Sequence, residues 1–173
     1  MTHDNGNKKW DHFESSIWVF GDNIDTDQII STRHYILPVD EMITHTLETV
    51  KPDFAKNVKK YDVIVAGKNF GCGSSREQAV TVFKELGVGA VIAPSFARIF
   101  YRNSINLALP VLECNDIDPS DFVDGDRVEV DIEKGHIVHL RTQRTYNFVK
   151  LPDFVREIIS DGGLISYLLK SGR

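Results

Sequence analysis

Apolar residues along this chain fall into short, nearly unbroken runs, and the period of the pattern changes as the chain proceeds. Residues 61–67 read YDVIVAG and residues 89–95 read GAVIAPS. Each run is apolar and β-branched at successive positions, which predicts a strand covered on both faces. Between them Ala79, Val82, Phe83 and Leu86 recur at helical spacing and stop at Gly87, whose missing side chain permits a left-handed cap. Strand, helix and strand within about thirty residues predict a right-handed crossover between parallel strands. Phe96, Ile99, Phe100 and Leu107 predict a further helix, and LPVLEC at residues 109–114 a further strand. Upstream, SIWVFG at residues 16–21 predicts a strand. Met42, Ile43, Thr46, Leu47 and Val50 predict a helix that runs from Asp40 and stops before Pro52.

After Asn115 polar and apolar residues alternate through RVEVDIEKGHIVHLRTQRTYNF, the pattern of a half-exposed hairpin about the turn EKG. The end of the chain predicts one helix or two, with Gly162 and Gly163 marking the break. The polar start reads as an arm over residues 1–14, with Trp10 and Phe13 as possible anchors, ahead of one α/β domain over residues 15–173.

Composition narrows the function classes. The 173 residues, 42% hydrophobic and 26% charged, suffice for one domain with its own core. A formal charge of −5 leaves no basic stripe for nucleic acid. No apolar run approaches the ~18 residues of a membrane span. MTHDNGNKKWDHFESS lacks the apolar centre of a signal peptide, so a cytoplasmic protein is expected. Cys72 and Cys114 form no CxxC pair, and neither a disulfide scaffold nor a metal site is expected. His136 and His139, three apart on a strand, leave opposite faces. His34 reads as a solvated loop residue that could also hydrogen-bond a substrate.

The chemistry concentrates in GKNFGCGSSREQA, residues 67–79. Its glycines do not follow G-x-G-x-x-G, and no Lys-Ser or Lys-Thr makes a phosphate loop. A capping reading competes, because Ser74 precedes Glu77 and Ser75 precedes Gln78 at capping-box spacing. Two features exceed a cap. Glycines flank Cys72 on both sides, which expects close approach by another group. Arg76 lies in the first turn, where positive charge is disfavoured by ~0.3–1 kcal/mol unless an anion sits nearby. Two hydroxyls and a guanidinium suit a carboxylate, which the planar fork of arginine binds through paired hydrogen bonds. Amide N–H groups and Arg76 would also stabilise an alkoxide on Ser74, able to take a proton from carbon next to a carboxylate. That chemistry needs an electrophile for the departing hydroxyl, and none is evident in the chain.

Taken together, DNIDTDQII, GKNFGCGSSREQA and GAVIAPSFARIFYRNSINLALPVL resemble the small subunits of 3-isopropylmalate dehydratase, in the aconitase superfamily. The likeness runs from about Phe20 to Cys114. It implies a swivelling α/β domain of β/β/α layers, like the C-terminal domain of aconitase. It also implies a large-subunit partner carrying a [4Fe–4S] cluster, with no cofactor in this chain. The implied reaction isomerises 2-isopropylmalate and 3-isopropylmalate by dehydration and rehydration, in leucine biosynthesis. Carried over position by position, Ser74 is the base, Ser75 a second hydrogen-bonding group, Arg76 a ligand for substrate carboxylate, and Arg98 a further substrate-binding group. Asp27 orients a catalytic or substrate-binding group. In IISTRHYILP the substrate's variable group would meet either the apolar pair Ile36 and Leu37 or Arg33. The first favours an alkyl substituent and the second an extra carboxylate, because a buried carboxylate without a partner loses its solvation. A related hydratase, acting on homoaconitate, dimethylmalate or citramalate, and a non-catalytic anion-binding module are the alternatives.

Overall fold

The computed structural model describes residues 10–172. The buried β-branched runs lie side by side as parallel strands: β1 (His12–Val19), β2 (Val63–Val65), β3 (Ala90–Ala93) and β4 (Val111–Glu113). The alternating segment supplies β5 (Arg127–Asp131), β6 (His136–His139) and β7 (Arg144–Asn147), an antiparallel meander joined to the other edge of β1. One mixed sheet results, in the order β4-β3-β2-β1-β5-β6-β7. The β1–β2 connection carries three one-turn helices, α1 (Thr26–Ile29), α2 (Val39–Met42) and α3 (Phe54–Asn57). Helices α4 (Gln78–Glu85) and α5 (Arg98–Asn106) make the next two crossovers, and α6 (Asp153–Ser160) and α7 (Leu164–Ser171) close the chain.

Period-two alternation sends the side chains of β2 to two separate cores. Ile64 joins Phe54, Phe70, Phe83 and Phe100 beneath the crossover helices. Val63 and Val65 join Val128, Ile137, Tyr146 and Val155, so the antiparallel half and α6 cover the opposite face. Because the sheet curls so that its parallel and antiparallel halves share this second core, it supplies two β layers beside the helical layer, the β/β/α arrangement expected.

Four sequence expectations need correction. The arm was expected to reach residue 14, but β1 begins at His12, because Phe13 and Ser15 pair with Val130 and Val128 of β5. Residues 1–9 of that arm lie outside the described residues. The helix expected from Asp40 to Val50 is α2 followed by a 3-10 turn, Ile43–His45. Thr46 is extended and Leu47 takes φ 56°. The Leu47 N–H donates to Ile29 C=O at 2.8 Å and its side chain is fully buried, so a tertiary contact overrides the helical pattern. The single hairpin is a three-stranded meander, whose second turn carries no glycine and uses Gln143 at φ 59° instead. Finally, α4 starts at Gln78, and neither Ser74 nor Ser75 caps it.

The break between α6 and α7 falls at Gly162 and Gly163, as expected.

Gly71, at φ 76°, gives the first testable consequence. A Cβ there would lie 2.2 Å from the Phe100 ring, which packs against Phe70 and Phe96. Gly125, at φ 85°, has nothing within 4 Å of the same position. Gly125→Ala should therefore cost about 1–2 kcal/mol for the left-handed backbone alone. Gly71→Ala should cost about 1–3 kcal/mol more for overpacking, read as a larger drop in thermal midpoint. Equal drops would show that Phe100 moves aside freely.

Candidate active site

The two glycine- and aspartate-rich segments leave the ends of β1 and β2 and go on running side by side. Gly67 N–H donates to Gly21 C=O at 3.1 Å, Asn23 N–H to Lys68 C=O, Gly71 N–H to Ile24 C=O and Thr26 N–H to Cys72 C=O, the last three at 2.8 Å. Ser95 and Ala97, beyond the end of β3, bind Phe70 on its other side. Three loops thus meet beyond the carboxyl ends of parallel strands, where open α/β sheets place their ligands.

Each aspartate of DNIDTD has a separate task. Asp22 accepts from Lys68 N–H at 2.7 Å and ties the two loops together. Asp25 accepts from Gln28 N–H, and the Gln28 side chain answers to Asp25 N–H, so the capping box belongs to α1 and not to α4. Asp27 is left to face Arg76, whose Nη1 donates to its Oδ1 at 2.8 Å. The Arg76 hydrogen bond, helped by Thr32 N–H, holds the Asp27 carboxyl below its usual range and raises Arg76 in turn. Arg76 is 20% exposed and Asp27 59%, so the pair is open to an incoming carboxylate.

Ser74 and Ser75 are exposed on the same turn. The Ser74 carbonyl accepts from the Thr26 hydroxyl at 3.2 Å, which anchors its backbone while its own hydroxyl has no partner among the described residues. Among the described residues no acceptor takes the N–H groups of Gly73, Ser74 or Ser75. These amides, rather than those of a helix start, are the donors that would serve a negative oxygen here. The glycines have an internal cause: Phe100 approaches Gly71, and Thr26 Oγ1 would lie 3.3 Å from a Cβ on Gly73. The expected close approach comes from the fold itself.

Tyr35 is a residue that sequence reading passed over. Its ring lies 5.6 Å from the Arg76 guanidinium, and its buried hydroxyl makes no hydrogen bond of ordinary geometry among the described residues. Burial raises its pKa and Arg76 opposes the shift. Only its position beside Arg33 marked it, because proximity to residue 76 arises from the loop fold. The other candidates separate. Arg33 Nη2 lies 2.6 Å from Glu48, Leu37 packs on the first core, and Ile36 stands 89% exposed at the tip of the loop. Arg98 opens α5, exposed, directly after the segment that binds Phe70.

The cysteines do not form a ligand set. Cys72 sits half-buried in the turn, whereas Cys114 is fully buried in the second core, its thiol pushed up to about 11 by burial. No helix among the described residues is long and apolar enough to cross a membrane.

Comparison with known proteins identifies the family. Residues 10–116 match the family model of the aconitase C-terminal domain. The 3-isopropylmalate dehydratase small subunit of Methanosarcina mazei is 54% identical over 88% of this chain and 94% of that protein. The methanogen homoaconitase small subunit of Methanothermobacter thermautotrophicus is 47% identical over 90% of this chain and 89% of that protein. A crystal structure of 3-isopropylmalate dehydratase from Methanocaldococcus jannaschii superposes with a TM-score of 0.85 at 43% identity, covering 93% of this chain and 95% of that one. The chain belongs to the aconitase C-terminal domain family, among the 3-isopropylmalate dehydratase small subunits.

The Asp27–Arg76 pair predicts a pH dependence. A carboxyl depressed in the folded state stabilises the fold fully above its ordinary value of 3.8, and this contribution fades as pH falls through the lower folded value. Carboxyl-carbon NMR should find Asp27 titrating below 3.8 in the native chain and returning toward that value in Arg76→Ala. An unchanged midpoint in the variant would remove the pair from the account.

Proposed function

We propose that this chain acts as the small subunit of a 3-isopropylmalate dehydratase, a hydro-lyase that interconverts 2-isopropylmalate and 3-isopropylmalate. The observation that carries the reading is the uncapped, exposed Ser74 on a turn fixed beside the Asp27–Arg76 pair. In this reading Arg76 exchanges part of its contact with Asp27 for a substrate carboxylate, and its fork aligns that group. Asp27 keeps the guanidinium oriented when no substrate is bound. Ser75 offers a second hydrogen bond, and Arg98 adds positive charge at the rim.

Ser74 takes the proton from the carbon next to the bound carboxylate, its oxygen stabilised by the free amides of the turn and by Arg76. Rehydration in the opposite sense completes the isomerisation: the hydroxyl joins the carbon that lost the proton, and Ser74 delivers the proton to the carbon that lost the hydroxyl. The residues of this chain do not fit an iron–sulfur cluster, which needs several cysteine thiolates, and its two cysteines lie in different parts of the fold. Removal of the hydroxyl is therefore assigned to a large-subunit partner. The active enzyme is a heteromer in this reading, and the [4Fe–4S] cluster is the partner's.

The loop geometry bears on which relative's substrate is used. Arg33 is engaged with Glu48 and Leu37 with the core, so Ile36 is the side chain left to meet the variable group. An isopropyl substituent matches Ile36, and the homoaconitate reading would require Arg33 to leave Glu48.

Co-expression with the large subunit should give isopropylmalate isomerisation that the isolated, iron-free chain lacks. Within that pair, Ser74→Ala should lower turnover by ~10²–10⁴ while circular dichroism stays native. Near-normal turnover in this variant would leave the turn as scaffolding only.

Specificity gives a separate test. Ile36→Arg should depress the specificity constant for isopropylmalate and raise that for a substrate bearing a carboxylate at the same carbon, since an alkyl contact is worth only ~1–3 kcal/mol and an unpaired buried charge costs more. Efficient use of homoaconitate by the unaltered pair would put Arg33, and not Ile36, against the substrate.

A further inference from the structure

A second cluster lies behind the specificity loop. The break at Thr46 and Leu47 turns Glu48 back toward the loop, so that His34, His45 and Glu48 converge from three different turns. His34 Nε2 lies 2.8 Å from Glu48 Oε1, and His45 Nδ1 lies 2.7 Å from Glu48 Oε2. The two imidazoles stack with centroids 3.8 Å apart and planes 7° from parallel. One ligand atom from each of the three residues lies within 4.8 Å of the others.

The protons of this cluster cannot be placed without conflict. Arg33 Nε lies 3.1 Å from the same His34 Nε2 that approaches Glu48. A guanidinium N–H only donates and a carboxylate only accepts. If Nε2 carries a proton it opposes Arg33; if it presents a lone pair it opposes Glu48. Protonating both rings would place two stacked cations beside Arg33 against one carboxylate. Neutral imidazoles with both lone pairs directed at a cation remove the conflict, provided the more exposed His45 ring turns out of the stack, since lone pairs in parallel planes cannot meet at one ion, and Arg33 withdraws. Its side chain is 66% exposed and can do so into water, whereas the His34 side chain is 13% exposed and held in place.

We propose that His34, His45 and Glu48 bind one divalent transition-metal ion, with Arg33 occupying its place when the ion is absent. Two imidazoles and a carboxylate are a zinc-type ligand set that leaves a coordination position for water. The two nitrogen ligands favour zinc, cobalt or nickel over calcium or magnesium, which prefer oxygen. The ion would join the turn at His45 to the segment leading into Ile36, bracing the loop from behind. This site is separate from Ser74 and Asp27 and does not depend on the reaction proposed for them.

The test uses the full-length chain without a histidine tag, stripped by chelator and titrated with Zn²⁺ by calorimetry and with Co²⁺ by visible absorption. Expected is one ion per chain with the intense visible bands of low-coordinate cobalt. His34→Ala and His45→Ala should each weaken binding by more than the ~10–100-fold typical of outer-shell changes. Arg33→Ala should bind as tightly as the native chain or more tightly, because a competing cation has gone. Thermal melts without metal establish that each variant is folded, and His45→Gln replaces His45→Ala if the latter is not. Two results would overturn the proposal: no uptake by either the native chain or Arg33→Ala, or uptake that His34→Ala and the His45 variant leave unchanged. The first would make the cluster an ionic clasp held by Arg33.

Discussion

The backbone ladder between residues 21–26 and 67–72 is the constraint on which the site depends. Strands β1 and β2 stop at Val19 and Val65, yet their pairing continues in looser form through Gly67, Asn23, Gly71 and Thr26. A loop that merely left the sheet would lose backbone hydrogen bonds to solvent and sample many positions. This one keeps its partners, and the cost is unusual backbone geometry. Asn23 and Asn69 both adopt left-handed conformations, and their side chains bond each other at 2.9 Å. Gly71 and Gly73 supply the remaining positive φ angles. The strain therefore serves registration: Asp27 and Arg76 come within hydrogen-bond distance because the two loops cannot slide past each other.

The same ladder explains what the sequence revealed and what it hid. The parallel strands were legible because burial on both faces writes a continuous apolar run. Helices α4 and α5 were legible because each presents one apolar stripe. Ser74 and Arg76 stood out by composition, as did the cluster of aspartates. The division of labour among Asp22, Asp25 and Asp27 did not, since it rests on which backbone amide each one meets. The spacing of Ser74 to Glu77 satisfied a capping rule that the fold ignores. A local rule competes with every tertiary contact, and here Thr26 holds the Ser74 carbonyl away from a helical start.

The segment from Ser31 to Val50 was the least legible part, for a related reason. Its apolar residues fit a helix by spacing, and the fold uses the same residues to reach two different places. Met42 and Leu47 enter the first core, while the hydrogen bond from Leu47 to Ile29 reverses the chain between them. No local signal marks that reversal, because Leu47 at φ 56° is a conformation that sequence statistics disfavour. Its consequences are large. The reversal draws Glu48 to Arg33 and His34, pairs the Arg33 guanidinium with that carboxylate, and leaves Ile36 as the exposed apolar side chain of the loop.

Exposure places a further demand on the site. Ser74, Ser75, Asp27, Ile36 and Arg98 are all exposed to solvent. Water at such a surface screens Arg76, hydrates any alkoxide, and weakens each hydrogen bond that would favour a transition state over the ground state. In the proposed reading these residues are the half of a site that must be covered before it can act. A rigid ladder beneath an open rim meets that need: the groups are fixed in advance, so covering them need only exclude water and present the reacting substrate. A second protein surface that closes on this rim would supply both in one motion. The small-subunit reading requires such a surface, and the rigid ladder under the exposed Ser74 and Asp27 is consistent with that requirement.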